Sequence, residues 1–399
     1  MSAADIKDIV KDCMDRAVAR HEVPGCSFCL IRDSKEQFYL ESGYANIEKQ
    51  LPIRRDNIYR LYSMSKPVTA ATVMTLVQDG YLDLQEPVAH FFPSYAHQQY
   101  ETPDGEIRPV APENIMKIHH LLNMTAGLSY PGIGSAAGRE TTAVYDDLDK
   151  RLGTDAAMTT AEFAERIGEC TLLFEPGKGW CYSVCADILG AIVEKITGMG
   201  FGEYMKEAVL DPMGMTDTGF YVPKDKKSRL VVSYQIDNSQ EGAPLIPYTG
   251  NNLGIRNTGD PNVFESGGAG LFSTLDDYLC FTGMLMKGGV SKNGRQVLRP
   301  GTVRYLTSGQ LTDQQQSYCS NWLGIASHSY GNLNRVMVNP SRAVTLGSAG
   351  EYGWDGWLGV YFSNDPAHRQ TMLLMMNRTD YGTQRLTRQL RNIVYSDLT

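Results

Sequence analysis

Apolar residues at Ile6, Ile9, Val10, Met14 and Val18 recur at helical spacing, and Pro24-Gly25 ends the run, so the chain opens on an amphipathic helix. Two apolar-rich stretches follow, residues 26–32 and 37–44, separated by the polar residues 33–35; this pattern predicts a β-hairpin. Helical spacing returns over 64–79, where Val68, Ala71, Val73, Met74, Leu76 and Val77 are apolar and Gly80 is a stop signal. From about 82 to 251 the chain alternates helices, including 161–167 and 186–197, with long loops rich in glycine, proline and asparagine. Residues 211–215 read as a turn and 224–229 as a solvated basic loop. Residues 264–274 are glycine-dense, and 275–287 are helical again. Residues 356–362 and 370–376 read as strands, and 383–396 as a closing helix. The two ends of the chain thus supply strands, and the middle is mostly helical. One antiparallel sheet built from both ends, with a helical insertion beside it, accommodates this order.

Composition narrows the function. The chain has 399 residues, of which 42% are hydrophobic and 21% charged, enough to bury a large core. A net charge of -8 gives no reason to expect a nucleic-acid partner. No apolar run reaches the roughly 18 residues of a membrane span. The first residues lack a basic start followed by an apolar core, so a cytoplasmic protein is expected. The eight cysteines are then expected as buried thiols rather than disulfides. Cys26 and Cys29 form a C-x-x-C inside a predicted strand, which points them to opposite faces. His119 and His120 are adjacent and diverge on a helix, and no H-E-x-x-H occurs, so no metal is expected. No phosphate-binding glycine loop follows a strand and no G-x-S-x-G is present; no cofactor is expected.

Three segments could carry chemistry. Ser63-Met64-Ser65-Lys66 places a hydroxyl and an amine three residues apart, on one face of a helix start. A partly desolvated lysine can take the proton from a serine nucleophile; an N-cap serine followed by a surface lysine accounts for the same letters. Tyr182 follows the Pro176-Gly177 turn at a loop-to-helix junction, where a phenol could relay a proton or simply pack. Gly353-Trp354-Asp355-Gly356-Trp357-Leu358-Gly359 puts glycines in a strand pattern, a sign either of close approach by a ligand or of a bulged edge strand.

The order S-x-x-K, tyrosine, glycine-bearing strand resembles the serine β-lactamase and penicillin-binding superfamily. Within it the chain looks like the branch holding class C β-lactamases, family VIII carboxylesterases, D-aminopeptidase-like peptidases and fungal statin acyltransferases. Matching segments run through nearly the whole chain: Val23-Pro24-Gly25, Arg60 to Lys66, Gly80-Tyr81-Leu82-Asp83-Leu84, Ile118 to Leu122, Thr125-Ala126-Gly127-Leu128, Pro176-Gly177 and Ser266 to Leu271.

The resemblance implies an α/β (α+β) fold of the β-lactamase/transpeptidase type. Residues 1–85 together with 260–399 would form the sheet domain and 86–259 a mainly helical domain, with the active site between them. It implies Ser63 as the acylated nucleophile, Lys66 as its proton acceptor and Tyr182 as the tyrosine of the Y-x-N box. The backbone N–H groups of Ser63 and Trp357 would form the oxyanion hole. Trp354-Asp355-Gly356 falls on the K-T-G box.

Two departures bear on substrate. Val184 replaces the usual asparagine, and Trp354 replaces the cation that would hold a carboxylate. The pocket then looks apolar and aromatic, lined by Trp354, Trp357, Tyr352 and Tyr130 with Asp355 nearby. This favours a neutral or apolar acyl ester over penicillin; the expected enzyme is a serine hydrolase that cleaves small or medium acyl esters through acyl-Ser63, with a small-molecule acyl ester or amide as its partner. The alternatives are an acyltransferase using the same intermediate, and a β-lactamase or D-amino-acid peptidase.

Overall fold

A computed structural model describes residues 5–321 and 325–398; residues 1–4, 322–324 and 399, which fall within the expected domain bounds, lie outside the described residues. Strand β1 (Gly25–Arg32) is buried on both faces over its first six residues, which fits a central position in a sheet. It pairs antiparallel with β2 (Lys35–Asn46) on one side and with strand Gln370–Met376 on the other, Cys26 lying between Ser42 and Met376. Among the described residues the antiparallel sheet has eight strands. Its order is His328–Gly331, Asn334–Met337, Tyr352–Asp355, Tyr361–Asp365, Gln370–Met376, β1, β2 and Leu51–Pro52. Both chain ends share this sheet, as the hydropathy pattern predicts.

The side-chain period of two assigns each face a different core. Cys26, Phe28 and Leu30 pack with Val10 and Met14 of α1 (Ile6–Ala19) and with Leu386 and Leu390 of helix Arg385–Ser396. Cys29 faces the other way, into the core that contains Tyr59, Val68 and Val73. The two thiols of the C-x-x-C are therefore separated by the sheet and cannot share an ion. Burial raises both, Cys29 to about 12 and Cys26 further. His119 and His120 differ from expectation: their rings come together, with centroids 4.1 Å apart.

Helix α2 (Ser65–Gln78) is buried from Ser65 through Leu76 and lies inside the molecule rather than on it. Helix Cys185–Thr197 packs against it. The glycine-dense segment threads between these two helices. A Cβ on Gly267 would sit 2.3 Å from the Ala186 carbonyl oxygen, so only glycine fits there. The chain then enters strand Phe272–Thr274, which pairs with strand Ile58–Arg60 just before Ser63.

Several segments differ from the pattern-based expectation. Residues 356–362 are not one strand. Asp355 ends one strand and Tyr361 begins the next, joined by a turn in which the Gly356 N–H donates to the Val360 carbonyl and Gly359 has φ +92°. The basic segment Lys224–Arg229 is a short 3₁₀ helix whose Lys226, Lys227 and Arg229 pair with Asp217 and Asp260. Residues 211–215, expected as a turn, instead continue a helix through Met213, which closes on a left-handed Gly214. The helix Ala136–Arg151 and the strands His328–Gly331 and Asn334–Met337 were not foreseen. Among the described residues no helix is long and apolar enough to cross a membrane.

Candidate active site

Strand Ile58–Arg60 runs into a 3₁₀ turn, Tyr62–Met64, and that turn runs into α2. Tyr62 takes φ +44°, a left-handed conformation that costs a non-glycine residue roughly 1–3 kcal/mol. Its ring is buried and meets Trp357 edge-on at 5.0 Å, which holds the turn in place. The result is a partly exposed Ser63 directly above the first turn of a buried helix. Pro67 sits in that first turn, where its missing N–H breaks no helical bond.

Lys66 is fully buried, and its three donors are all used. Nζ donates to Ser63 Oγ at 3.2 Å, to the Tyr130 hydroxyl at 3.1 Å and to the Gly268 carbonyl at 2.8 Å. It also stands 4.6 Å from the centre of the Tyr182 ring. Burial disfavours the ammonium and brings its pKa down to about 8; the charge on Asp187 opposes that shift. Asp187 is itself buried on helix Cys185–Thr197. Its carboxylate accepts from Ser266 Oγ and from the Gly268 N–H, so the carbonyl that receives Lys66 belongs to a residue anchored by Asp187. Burial raises the Asp187 carboxyl, and Ser266 and Lys66 pull it back.

Tyr182 also reaches Ser63. Its phenol shares a hydrogen bond with Ser63 and accepts one from Trp354 Nε1 at 3.1 Å. Burial lifts the phenol above its ordinary range, while both hydrogen bonds lower it. The rings of Tyr130, Tyr182, Trp354 and Tyr330 form a continuous aromatic wall, with successive centroids 5.7, 5.3 and 5.1 Å apart. Tyr130, Lys66, Ser63 and Tyr182 are thus linked in one chain of hydrogen bonds. This arrangement can move a proton to and from Ser63 Oγ.

The strand carrying Trp354 meets the Ser63 turn at Gly356. A Cβ there would stand 2.2 Å from the Leu61 carbonyl oxygen, so glycine permits the contact. Among the described residues, neither the Ser63 nor the Trp357 N–H donates to a backbone carbonyl. The Trp357 indole donates to Asp380 at 2.7 Å.

Two expected lining residues are placed elsewhere. Asp355 alternates away from Trp354 along the strand, and its carboxylate accepts from Thr383. Tyr352 shares the Trp354 face but lies two residues back, roughly 6–7 Å along the strand. Its hydroxyl meets Asn364 and Met286 under helix Leu275–Met286. Val184 is buried at the cap of its helix. Tyr130 was expected only as lining; it touches Lys66 directly.

Sequence reading missed Asp187, Ser266 and Gly268. One signal was available: a carboxylate in the first turn of an otherwise apolar helix, A-D-I-L-G-A-I-V, needs a buried partner.

Residues 8–395 match the Beta-lactamase family. Protein Rv1367c of Mycobacterium tuberculosis (strain ATCC 25618 / H37Rv) is 30% identical over 351 residues, covering 84% of this chain and 81% of that protein. Esterase EstB of Burkholderia gladioli is 28% identical over 412 residues, covering 99% and 97%. Among solved structures, EstCE1, described as a hydrolase with promiscuous acyltransferase activity, superimposes with a TM-score of 0.80 at 23% identity, covering 98% of each chain. That likeness establishes the β-lactamase/transpeptidase-like fold. With the sequence match running from the first helix to the last, the chain belongs to the beta-lactamase family.

Proposed function

We propose that Ser63 is the acylated nucleophile of this serine ester hydrolase. The observation that carries the reading is the buried Lys66 amine, 3.2 Å from Ser63 Oγ with a pKa brought down to about 8. Neutral Lys66 takes the Ser63 proton as Oγ attacks the ester carbonyl. The backbone N–H groups of Ser63 and Trp357 receive the oxyanion, and losing one such donor typically costs about 2.7–4 kcal/mol of barrier. Tyr182 delivers a proton to the leaving alkoxide as the carbonyl–oxygen bond breaks, and the Lys66 ammonium passes the proton it took from Ser63 to the phenolate, which restores both groups. Water then attacks acyl-Ser63 and releases the carboxylic acid.

The aromatic wall and the lack of a cation at Trp354 favour neutral, apolar acyl esters over substrates with a carboxylate. In this reading the sheet part (1–85 with 260–399) and the mainly helical part (86–259) meet at the cleft. Its partner is a small ester or amide. The eight cysteines, none disulfide-bonded, fit the cytoplasm as its compartment.

The similarity to EstCE1 keeps an acyltransferase as the second reading, with an alcohol or amine replacing water at acyl-Ser63. Intact-mass measurement after mixing with a p-nitrophenyl alkanoate tests the first step: one acyl adduct is expected, absent in Ser63→Ala. With a millimolar alcohol acceptor present, free acid should exceed transferred ester. The reverse ratio selects the transferase, and an adduct that persists in Ser63→Ala rejects Ser63.

A further inference from the structure

Away from Ser63, the sheet does not close fully against its helices. A cavity of about 510 Å³ opens between helix Leu275–Met286, helix Pro300–Leu306 and the sheet residues Tyr352 and Thr371. Small-molecule pockets span about 300–1,000 Å³. None of Ser63, Lys66, Tyr130 or Tyr182 lines this one, so it is independent of the reading given to them.

Its wall is apolar, formed by Leu279, Leu285, Met286, Val303 and the Tyr352 ring. Its charged lining is of one sign: Lys287, Lys292, Arg304 and Arg369 contribute, and no aspartate or glutamate does. This stands out in a chain of net charge -8. Asp33 engages Arg369, and Lys292 lies against the Cys280 thiol. Among the described residues, Lys287 and Arg304 have no ion-pair partner.

Gly283 points to a built site rather than a packing fault. It sits inside helix Leu275–Met286 without a left-handed φ, and a Cβ there would meet no atom within 4 Å. Neither strain nor close approach requires glycine, which costs a helix interior about 1 kcal/mol relative to alanine. The effect of the missing side chain is to leave the cavity open.

We propose that this cavity binds a single-chain alkyl carboxylate, the tail against the apolar wall and the carboxylate at Arg304 and Lys287. A neutral chain would gain nothing from the cationic rim, and a cationic one would be repelled by it.

Calorimetric titration of the full chain with sodium decanoate, below its micelle concentration, tests this, with decanol as the neutral control. One saturable decanoate site is expected. Gly283→Leu, which fills the cavity, should weaken it at least ten-fold. Arg304→Glu, an exposed change, should also weaken decanoate at least ten-fold while leaving decanol binding as it was. Both variants should hydrolyse a small ester at the wild-type rate. Absence of saturable binding to the wild type overturns the proposal, and so does decanoate binding that is unchanged in both variants.

Discussion

Lys66 is the residue on which the chemistry turns, and its burial sets a direction for pH dependence. The base must be neutral, and burial has moved its pKa from 10.5 to about 8. The acylation rate of the wild type should therefore rise with pH through about 8 and level off above it, as read from the burst phase with an activated ester. Lys66→Ala should lower that rate by roughly 10²–10⁴-fold, the usual worth of a positioned base. Asp187 gives a sharper test, because its charge favours protonated Lys66. Asp187→Asn removes that charge, so the rising limb should move to lower pH; a limb that stays in place would show that Asp187 acts on loop geometry alone. Ser63 and Lys66 were legible in the sequence because three-residue spacing fixes a shared face. Asp187 was not, since the loop that links it to Lys66 is some eighty residues further along the chain.

At the level of elements, the decisive join is where the strand Tyr352–Asp355 presses on the Ser63 turn. The sequence reading ran one strand through 356–362 because Val360, Tyr361 and Phe362 are apolar. The alternation did not reveal that the two glycines of G-W-L-G form the turn of a hairpin. Similarly, His328–Gly331 and Asn334–Met337 are fully buried yet carry histidine, asparagine and arginine, so hydropathy could not mark them. By contrast α1, β1 and α2 were legible, because each is set by an apolar stripe or run that packing reinforces. The join itself is testable. In Gly356→Ala the new Cβ would lie 2.2 Å from the Leu61 carbonyl oxygen. Overpacking of this kind costs typically about 1–3 kcal/mol, and the displaced strand should lower kcat as well. Gly301→Ala, whose Cβ would meet nothing nearer than 3.8 Å, is the control. It should leave kcat unchanged and not lower the midpoint of urea unfolding. Equal behaviour of the two variants would remove the steric argument.

Across the whole molecule, the last helix is tied to the strand that carries Trp354 by a buried charge cluster. Arg391 holds Glu351 with two parallel bonds of 2.6 and 2.7 Å, and Arg335 approaches the same carboxylate at 3.6 Å. Arg391 and Glu351 are both essentially without solvent contact. The sequence marks 383–396 only as a closing helix; the tertiary partner forty residues earlier explains why Arg391 is inside. Burial alone would raise the Glu351 carboxyl, but the charges of Arg391 and Arg335 hold it down at about 2, against an ordinary 4.5. Because the folded value is the lower one, the stabilisation is complete above about 4.5 and is lost as pH falls toward 2. Glu351→Gln should abolish that acid-dependent part and leave Arg391 without a counter-charge. Stranding one member of a buried pair typically costs about 3–5 kcal/mol. Replacing both partners by apolar residues, as in Glu351→Leu with Arg391→Met, removes the Arg391 charge and should recover part of the loss, since Arg335 then keeps only its bond to the Phe362 carbonyl. Urea unfolding of the wild type, the single variant and the double variant at pH 7 and pH 3 separates these effects. A single variant as stable as the wild type at pH 7 would mean that the pair does not tie the C-terminal helix to the sheet.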